Sequence, residues 1–281
     1  MTRRASVFTH RAPGETSGAI EPLVAAALEH GYELLFDPSE TAKHGLSAKD
    51  GLVVGAETAD VDLCLVLGGD GTILRALRQY ACTAVPVFAV NFGAGGFLAT
   101  IEPAEMDPHL ERAFSGDFET LRLPAVIIEG PCGTHRAIND VSIHRKVGER
   151  VAMLAYSLEG EEVGNVRCDG LVVATPAGST GYNLANGGPV LAWGVEGFVV
   201  SFIAPHSLRA RALVVAPNDT LVIDNCSVDG VDVTVDGRPI GELASGDKIE
   251  VRFAHDVAKL AMVPGSSFYR RLREKFGRLS R

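Results

Sequence analysis

The sequence predicts two domains: an α/β domain built on a parallel sheet, followed by a β-rich, mostly antiparallel domain. Three observations predict this order. Residues 1–115 alternate short apolar runs with stretches of helical spacing. Residues 116–263 carry short β-type runs separated by glycine turns, with a single helix after Gly178-Ser179-Thr180. Two glycine-rich turns, one around Gly68 and one around Gly93, fall where strands of the first domain end, the place where an open α/β sheet takes its ligand.

In the first domain, residues 5–9 read as a strand and 19–30 as a helix, with Ile20, Leu23, Val24, Ala27 and Leu28 on one face and Gly31 as the stop. Strands follow at 32–36, 63–67 and 86–91, and helices at 72–80 and 105–114. Continuous apolar strands joined by helices imply a sheet covered on both faces. In the second domain the β-type runs are 118–129, 135–144, 151–158, 171–175, 197–203, 213–215, 220–223, 231–235 and 248–253. Turns such as Asp229-Gly230 and Asp236-Gly237 separate them. The tail, 264–281, is expected to pack back on the first domain.

Composition excludes several classes. Of 281 residues, 46% are hydrophobic, enough for one large or two ordinary cores. No apolar run approaches the roughly 18 residues of a membrane span, and the first residues lack a signal-peptide core. Cys64, Cys82, Cys132, Cys168 and Cys226 are scattered without C-x-x-C spacing, which reads as reduced thiols and a cytoplasmic protein. The net charge is −9. Arg270, Arg271, Arg273, Lys275, Arg278 and Arg281 crowd the C-terminus, so the body is more acidic still. A broad basic face for nucleic acid is absent. Glycine amides, local arginines and Mg²⁺ would therefore have to neutralise any phosphate ligand.

Leu67-Gly68-Gly69-Asp70-Gly71-Thr72 is the most informative stretch. It joins a strand to a helix through a turn nearly stripped of side chains, so backbone amides can approach phosphate closely. Asp70 is the one acid left there. It suits a general base or a magnesium contact, and equally an N-cap for the helix that follows. Standard alternatives fail. Residues 93–98 lack the last glycine of G-x-G-x-x-G, and no P-loop exists. Ala177-Gly178-Ser179-Thr180-Gly181 lacks the first glycine of a nucleophile elbow, and the histidines lack metal spacing. What remains is polar sequence set into β runs: Asn139-Asp140, Arg167-Cys168-Asp169-Gly170, and the hydroxyl-rich turn from Thr175 to Asn183 with an aromatic at Tyr182. Singly these read as an Asx-turn or a helix cap; together they offer the parts of a nucleotide site.

Gly68-Gly69-Asp70-Gly71-Thr72, Asn139-Asp140, Asp169-Gly170, the run from Thr175 to Tyr182 and Gly187-Gly188-Pro189 resemble, in order, the motif set of the NAD kinases. Pro205-His206-Ser207-Leu208 with Arg211, and Val235-Asp236-Gly237-Arg238, resemble that family's later segments. The resemblance implies a Rossmann-like N-terminal domain, a β-sandwich-like C-terminal domain, a site in the crevice between them, and homodimers or homotetramers. It implies transfer of the γ-phosphoryl of ATP, or of polyphosphate, to the 2′-hydroxyl of the adenosine ribose of NAD⁺, with Mg²⁺ as cofactor.

Carried over residue by residue, Asp70 is the base. Gly68, Gly69, Gly71 and Thr72 form the phosphate-donor loop, Gly71 also touching NAD. Asn139 and Asp140 hold adenine and ribose groups, and Asp169 the nicotinamide end. Thr180, Gly181 and Tyr182 line the adenine side, with Asn183 and Ala185 beside them. Arg75, Arg150, Arg167 and Arg238 are further NAD contacts. The chain departs from the family in having Asp140 for a glutamate, Gly181 for an alanine, and no arginine in Asn91-Phe92-Gly93-Ala94-Gly95-Gly96. A lipid-type or sugar kinase sharing only the Gly-Gly-Asp-Gly-Thr turn, and a nucleotide-binding regulator without turnover, are the competing readings.

Overall fold

Alternation along strand β1 (Arg3–Thr9) sets the layering of the first unit. Ala5 and Val7 face a core cluster with α1 (Ser17–Glu29), while Ser6 and Phe8 face the other side. In this computed structural model, which describes residues 2–93, 96–99 and 101–277, the next elements are β2 (Tyr32–Phe36), α2 (Pro38–His44), β3 (Leu52–Val54), β4 (Leu63–Leu67), α3 (Asp70–Gln79), β5 (Val87–Val90) and α4 (Met106–Ser115). The strands pair in parallel in the order β5-β4-β1-β2-β3. Helix α1 buries Ile20, Leu23, Val24 and Ala27, and α4 buries Met106, Leu110, Ala113 and Phe114, against one face. On the other, the Tyr80 hydroxyl donates to Ser6 Oγ at 2.7 Å and its ring meets Phe8 edge-on. Both faces are thus covered, as continuous apolar strands require.

The second unit is a sandwich. Its elements are β6 (Glu119–Gly130), β7 (Gly133–Ala137), β8 (Asp140–Arg145), β9 (Ala152–Leu158), β10 (Glu161–Cys168), β11 (Gly170–Ala174), α5 (Tyr182–Ala185), β12 (Phe198–Ile203), β13 (Leu213–Val215), β14 (Leu221–Asn225), β15 (Val231–Val235), β16 (Arg238–Leu243) and β17 (Lys248–Met262). One antiparallel sheet has the order β13-β12-β11-β8-β15-β16; the facing strands run β10-β9-β14-β17. Val141, Ile143, Val173 and Phe198 from the first layer meet Leu154, Ile223, Ile249 and Val251 from the second in one core. Asp236 and Gly237, both at positive φ, close the β15–β16 hairpin in two residues.

The units comprise residues 1–122 with 258–281, and 123–257, where the sequence pattern expects 1–115 and 116–263. The difference lies in β17, which outruns the expected 248–253. Its first residues pair with β14, whereas Leu260 and Ala261 pair in parallel with β5, so the strand leaves one unit and enters the other. The sequence pattern passes over α2, β3, β10 and β16. Strand β10 is mostly exposed and carries Glu161, Glu162 and Arg167, so it lacks an apolar period to read. The expected run 135–144 is two strands, β7 and β8, broken at Ile138-Asn139. Helix α6 (Phe268–Phe276) closes the chain, capped by Ser267 Oγ, which accepts from the Arg270 amide. All five cysteines are free, and burial pushes the Cys64 and Cys168 thiols up to about 12 and 11. No helix among the described residues is long and apolar enough to cross a membrane.

Candidate active site

In the first unit, β4 ends at Leu67 and α3 begins at Asp70, with Gly69 as N-cap and no side-chain cap. Asp70 is therefore not the capping residue. Its carboxylate turns to another segment: Oδ2 accepts from the Phe97 amide at 2.7 Å and Oδ1 from the Leu98 amide at 3.1 Å. Gly69 and Gly93, from the two glycine turns, touch. A Cβ on Gly93 would stand 2.8 Å from Gly69 Cα, closer than packing allows. Two members of the second turn, Ala94 and Gly95, lie outside the described residues.

A cavity of about 550 Å³ opens at this turn, lined by Gly69, Gly71, Thr72 and Gly93 together with Thr9, His10, Arg11, Lys43 and Arg75. Beneath it Glu40 is fully buried. Glu40 Oε2 accepts from Thr9 Oγ1 (2.5 Å) and Lys43 Nζ (2.7 Å), and Oε1 accepts from Arg75 Nη2. Burial alone would raise the Glu40 pKa; the hydrogen bonds from Lys43, Thr9 and Arg75 outweigh it and hold the carboxyl below its ordinary value. One buried negative charge thus orients two cations lining a cavity whose other walls include glycine backbone. That is an arrangement for polyanions.

In the second unit the motifs converge at one end of the β8–β11 pair. Asp236 takes the backbone of the Asn139 turn: its carboxylate accepts from the amides of Ile138 (3.2 Å), Asn139 (2.7 Å) and Asp140 (3.2 Å). The Thr175 amide donates to Asn139 O at 2.9 Å, and Thr175 Oγ1 donates to Ile138 O at 2.6 Å. A Cβ on Gly178 would lie 2.0 Å from Asn139 O, so only glycine lets the two turns meet. Asn139 Oδ1 is buried without a partner. Asp140 is 9% exposed, and burial first, then the charge of Asp236, pushes its carboxyl up to about 7. A carboxyl raised in this way can carry its proton, and so can donate as well as accept.

Along β8, Asp140, Ser142 and His144 share one face, while Val141 and Ile143 enter the core. Ser142 Oγ lies 2.6 Å from Thr234 Oγ1 and 3.0 Å from His144 Nε2. The His144 ring stacks on Tyr182, centroids 5.6 Å apart. Ser179 and Asn183 are fully buried and fasten the turn internally. Ser179 Oγ donates to Pro176 O, and Asn183 Nδ2 donates to Ser179 O and Pro189 O. Thr180 Oγ1 donates to Ala177 O at 3.3 Å; Gly181 and Ala185 are exposed beside it. Asp169 stands at the opposite end of β11, where Oδ1 accepts from Arg145 Nε at 2.6 Å. Arg145 lies five positions along β8 from Asp140, or about 17 Å of strand. A ligand touching both ends would have to be extended. Arg150, Arg167 and Arg238 are exposed.

Sequence reasoning passed over Glu40, Lys43, Arg145, Ser142, His144 and Thr234. Only the polar alternation Asp140-Ser142-His144 was a usable signal; the others are single polar residues brought in by topology.

The ATP-NAD kinase N-terminal domain model matches residues 22–118, and the C-terminal domain model matches 138–263. An NAD kinase of Lachnoclostridium phytofermentans is 38% identical over 230 residues, 78% of this chain and 81% of that one. That of Koribacter versatilis is 34% identical over 280 residues, 96% of each. An Archaeoglobus fulgidus NAD kinase solved in complex with ATP superposes with a TM-score of 0.75 at 27% identity, over 98% of this chain and 97% of that one. Yeast NADH kinase complexed with NADH has the same fold, with a TM-score of 0.88 at 23% identity over 99% and 89% of the two chains. The chain belongs to the NAD kinase family and is an NAD⁺ kinase, a phosphotransferase.

Proposed function

We propose that Asp70 is the general base of this phosphotransfer, taking the proton of the adenosine 2′-hydroxyl as that oxygen bonds to the γ-phosphorus of ATP and the bond to the β,γ-bridging oxygen breaks, releasing ADP. The observation that carries the reading is the carboxylate held by the Phe97 and Leu98 amides beside the cationic cavity. Each carboxylate oxygen has about two lone-pair sites, so one amide bond apiece fixes the group and leaves room for a hydroxyl proton. The first-unit cavity takes the donor phosphates through the amides of the glycine turn and through Lys43 and Arg75. Arg75 thereby belongs with the donor, not with NAD⁺. Asn139, Asp140, Thr180 and Tyr182 take the adenosine portion and Asp169 the nicotinamide end, consistent with an extended ligand.

Among the described residues no three His, Cys, Asp or Glu cluster to cage a metal. Mg²⁺ keeps its waters and is carried on phosphates with one or two carboxylates at most; Asp70, between the cavity-lining Gly69 and Gly71, is the carboxylate we assign to it. When bound, the ion would neutralise charge on the transferring group. The chain's own contribution is alignment and proton removal, the latter typically about 10²–10⁴-fold. We further infer a homo-oligomer in the cytoplasm.

Asp70→Asn is expected to bind NAD⁺ by calorimetry as the parent does while turnover falls about 10²–10⁴-fold. Normal NADP⁺ formation by that variant would remove Asp70 from the role.

A further inference from the structure

Helix α6 takes no part in the reading above, yet it grips the segment that holds Asp70. Arg271 is 5% exposed. Its Nη2 donates to Gly96 O at 2.9 Å and to Ala99 O. Between those carbonyls lie the amides of Phe97 and Leu98, which donate to the two oxygens of Asp70. The residues from Gly96 to Ala99 are therefore a short strap, its carbonyls bound by Arg271 and its amides by Asp70. The strap sits tight on the acid, since a Cβ on Gly96 would stand 2.0 Å from Asp70 Oδ1. Its aromatic is bound to the same helix: the Phe97 ring lies 6.1 Å from that of Phe268 and 5.6 Å from that of Phe276.

We propose that Arg271 is a positioning residue for Asp70, fixing the strap so that the Phe97 and Leu98 amides hold the carboxylate in its working orientation. This rests on Asp70 being the base. The guanidinium is suited to the task because Nη2 carries two N–H groups in one rigid plane and gives one to each carbonyl, a direction that a lysine ammonium on a flexible stem fixes less well. A carbonyl left without its donor in a buried segment seeks another partner, and the strap shifts to find one. Displacement of a reacting group by about 1 Å can cost 10²-fold, so the effect belongs in turnover. A helix that merely docked would instead move stability and both Michaelis constants.

The test uses the full chain as Arg271→Ala and Arg271→Lys, each alone and combined with Asp70→Asn. The readouts are kcat, KM for ATP, KM for NAD⁺ and melting temperature. Arg271→Ala is expected to lower kcat about 10- to 100-fold with both KM values within about twofold of the parent, and Arg271→Lys to fall in between. In the Asp70→Asn background neither substitution should lower the residual rate further, because no base remains to be placed. A kcat within twofold of the parent in both single variants overturns the proposal. So does a loss shared equally by kcat and both KM values, or a full additional loss in the Asp70→Asn background. Should Arg271→Ala fail to fold, Arg271→Lys decides by the same criteria. If Asp70→Asn itself turns over normally, the base assignment has failed; if it is inactive while the Arg271 variants are normal, only the present inference has.

Discussion

The two units present polar groups in opposite ways. In the first, the polar surface is built from what side chains leave out: Gly69 and Gly93 in contact, a helix start at Asp70, and cations gathered around one buried carboxylate, Glu40. In the second it is built from side chains at alternate positions of a strand, Asp140, Ser142 and His144, with a buried acid, Asp236, fixing the turn that begins it. The electrostatics follow suit. Glu40 keeps its charge because donors surround it, whereas Asp140 tends to lose its charge because burial and Asp236 both oppose it. A site for phosphate needs cations held in place. A site for sugar and base needs hydrogen-bonding groups that can be neutral. In the proposed function the same residue class, a buried carboxyl, would serve both by what lies within reach.

The sharpest way to break this contrast is Gly178→Ala. The new methyl would lie 2.0 Å from Asn139 O and 2.7 Å from its Cα, both backbone, so the turn must open. We expect a loss of about 3 kcal/mol or more in urea unfolding. NAD⁺ binding should go with it while ATP binding to the first unit persists. Equal loss of both ligands would show that the two halves of the recognition are not separable.

The next effect separates the two carboxyls by pH. The Asp140 carboxyl is raised from 3.8 to about 7, so the folded chain binds the extra proton. Its contribution to stability is complete below pH 3.8 and is lost as pH rises through about 7. Asp140→Asn cannot ionise and should remove that slope. Each tenfold change in proton affinity is worth about 1.4 kcal/mol, so at pH 8 the ligand-free variant should be more stable than the parent by about 2–4 kcal/mol. Parallel stability–pH curves for the two proteins between pH 4 and pH 8 would contradict the assignment.

The same contrast decides what could be read in the sequence. The strand–turn–helix around Asp70 was legible because glycine at three of four positions has few causes. The parallel sheet was legible because its central strands β4 and β5 are apolar throughout. Asn139-Asp140 and Thr175 to Tyr182 stood out as polar residues inside β runs, but their meeting was not written locally: it depends on β8 and β11 pairing with Asp140 opposite Ala174. Glu40 and Lys43 were invisible for a related reason. They lie on α2, a seven-residue helix begun by Asp37 and Pro38, and an acid three residues before a lysine reads as an ordinary exposed pair. Only the parallel neighbour β1, which brings Thr9 to Glu40, makes that acid interior. The extent of β17 escaped because its second half serves a different sheet neighbour from its first.

Glu40→Gln is the smallest perturbation and the most discriminating for the first unit. Glutamine keeps the shape and one acceptor, but removes the charge that Lys43 and Arg75 share. Both cations retain some solvent, with side chains 15% and 39% exposed, so the cost should sit near the low end for charged hydrogen bonds, about 1–2 kcal/mol. The sign with pH is opposite to that of Asp140. A carboxyl held below 4.5 contributes stability that is present above that pH and lost as pH falls through its folded value; the variant should therefore lose this acid-side dependence and keep the one owed to Asp140. In kinetics the KM for ATP should rise several-fold while that for NAD⁺ stays put, because Lys43 and Arg75 lose their anchor and Asn139 and Asp140 do not. A rise confined to NAD⁺ would place Arg75 back on the acceptor side and dissolve the division of labour between the units.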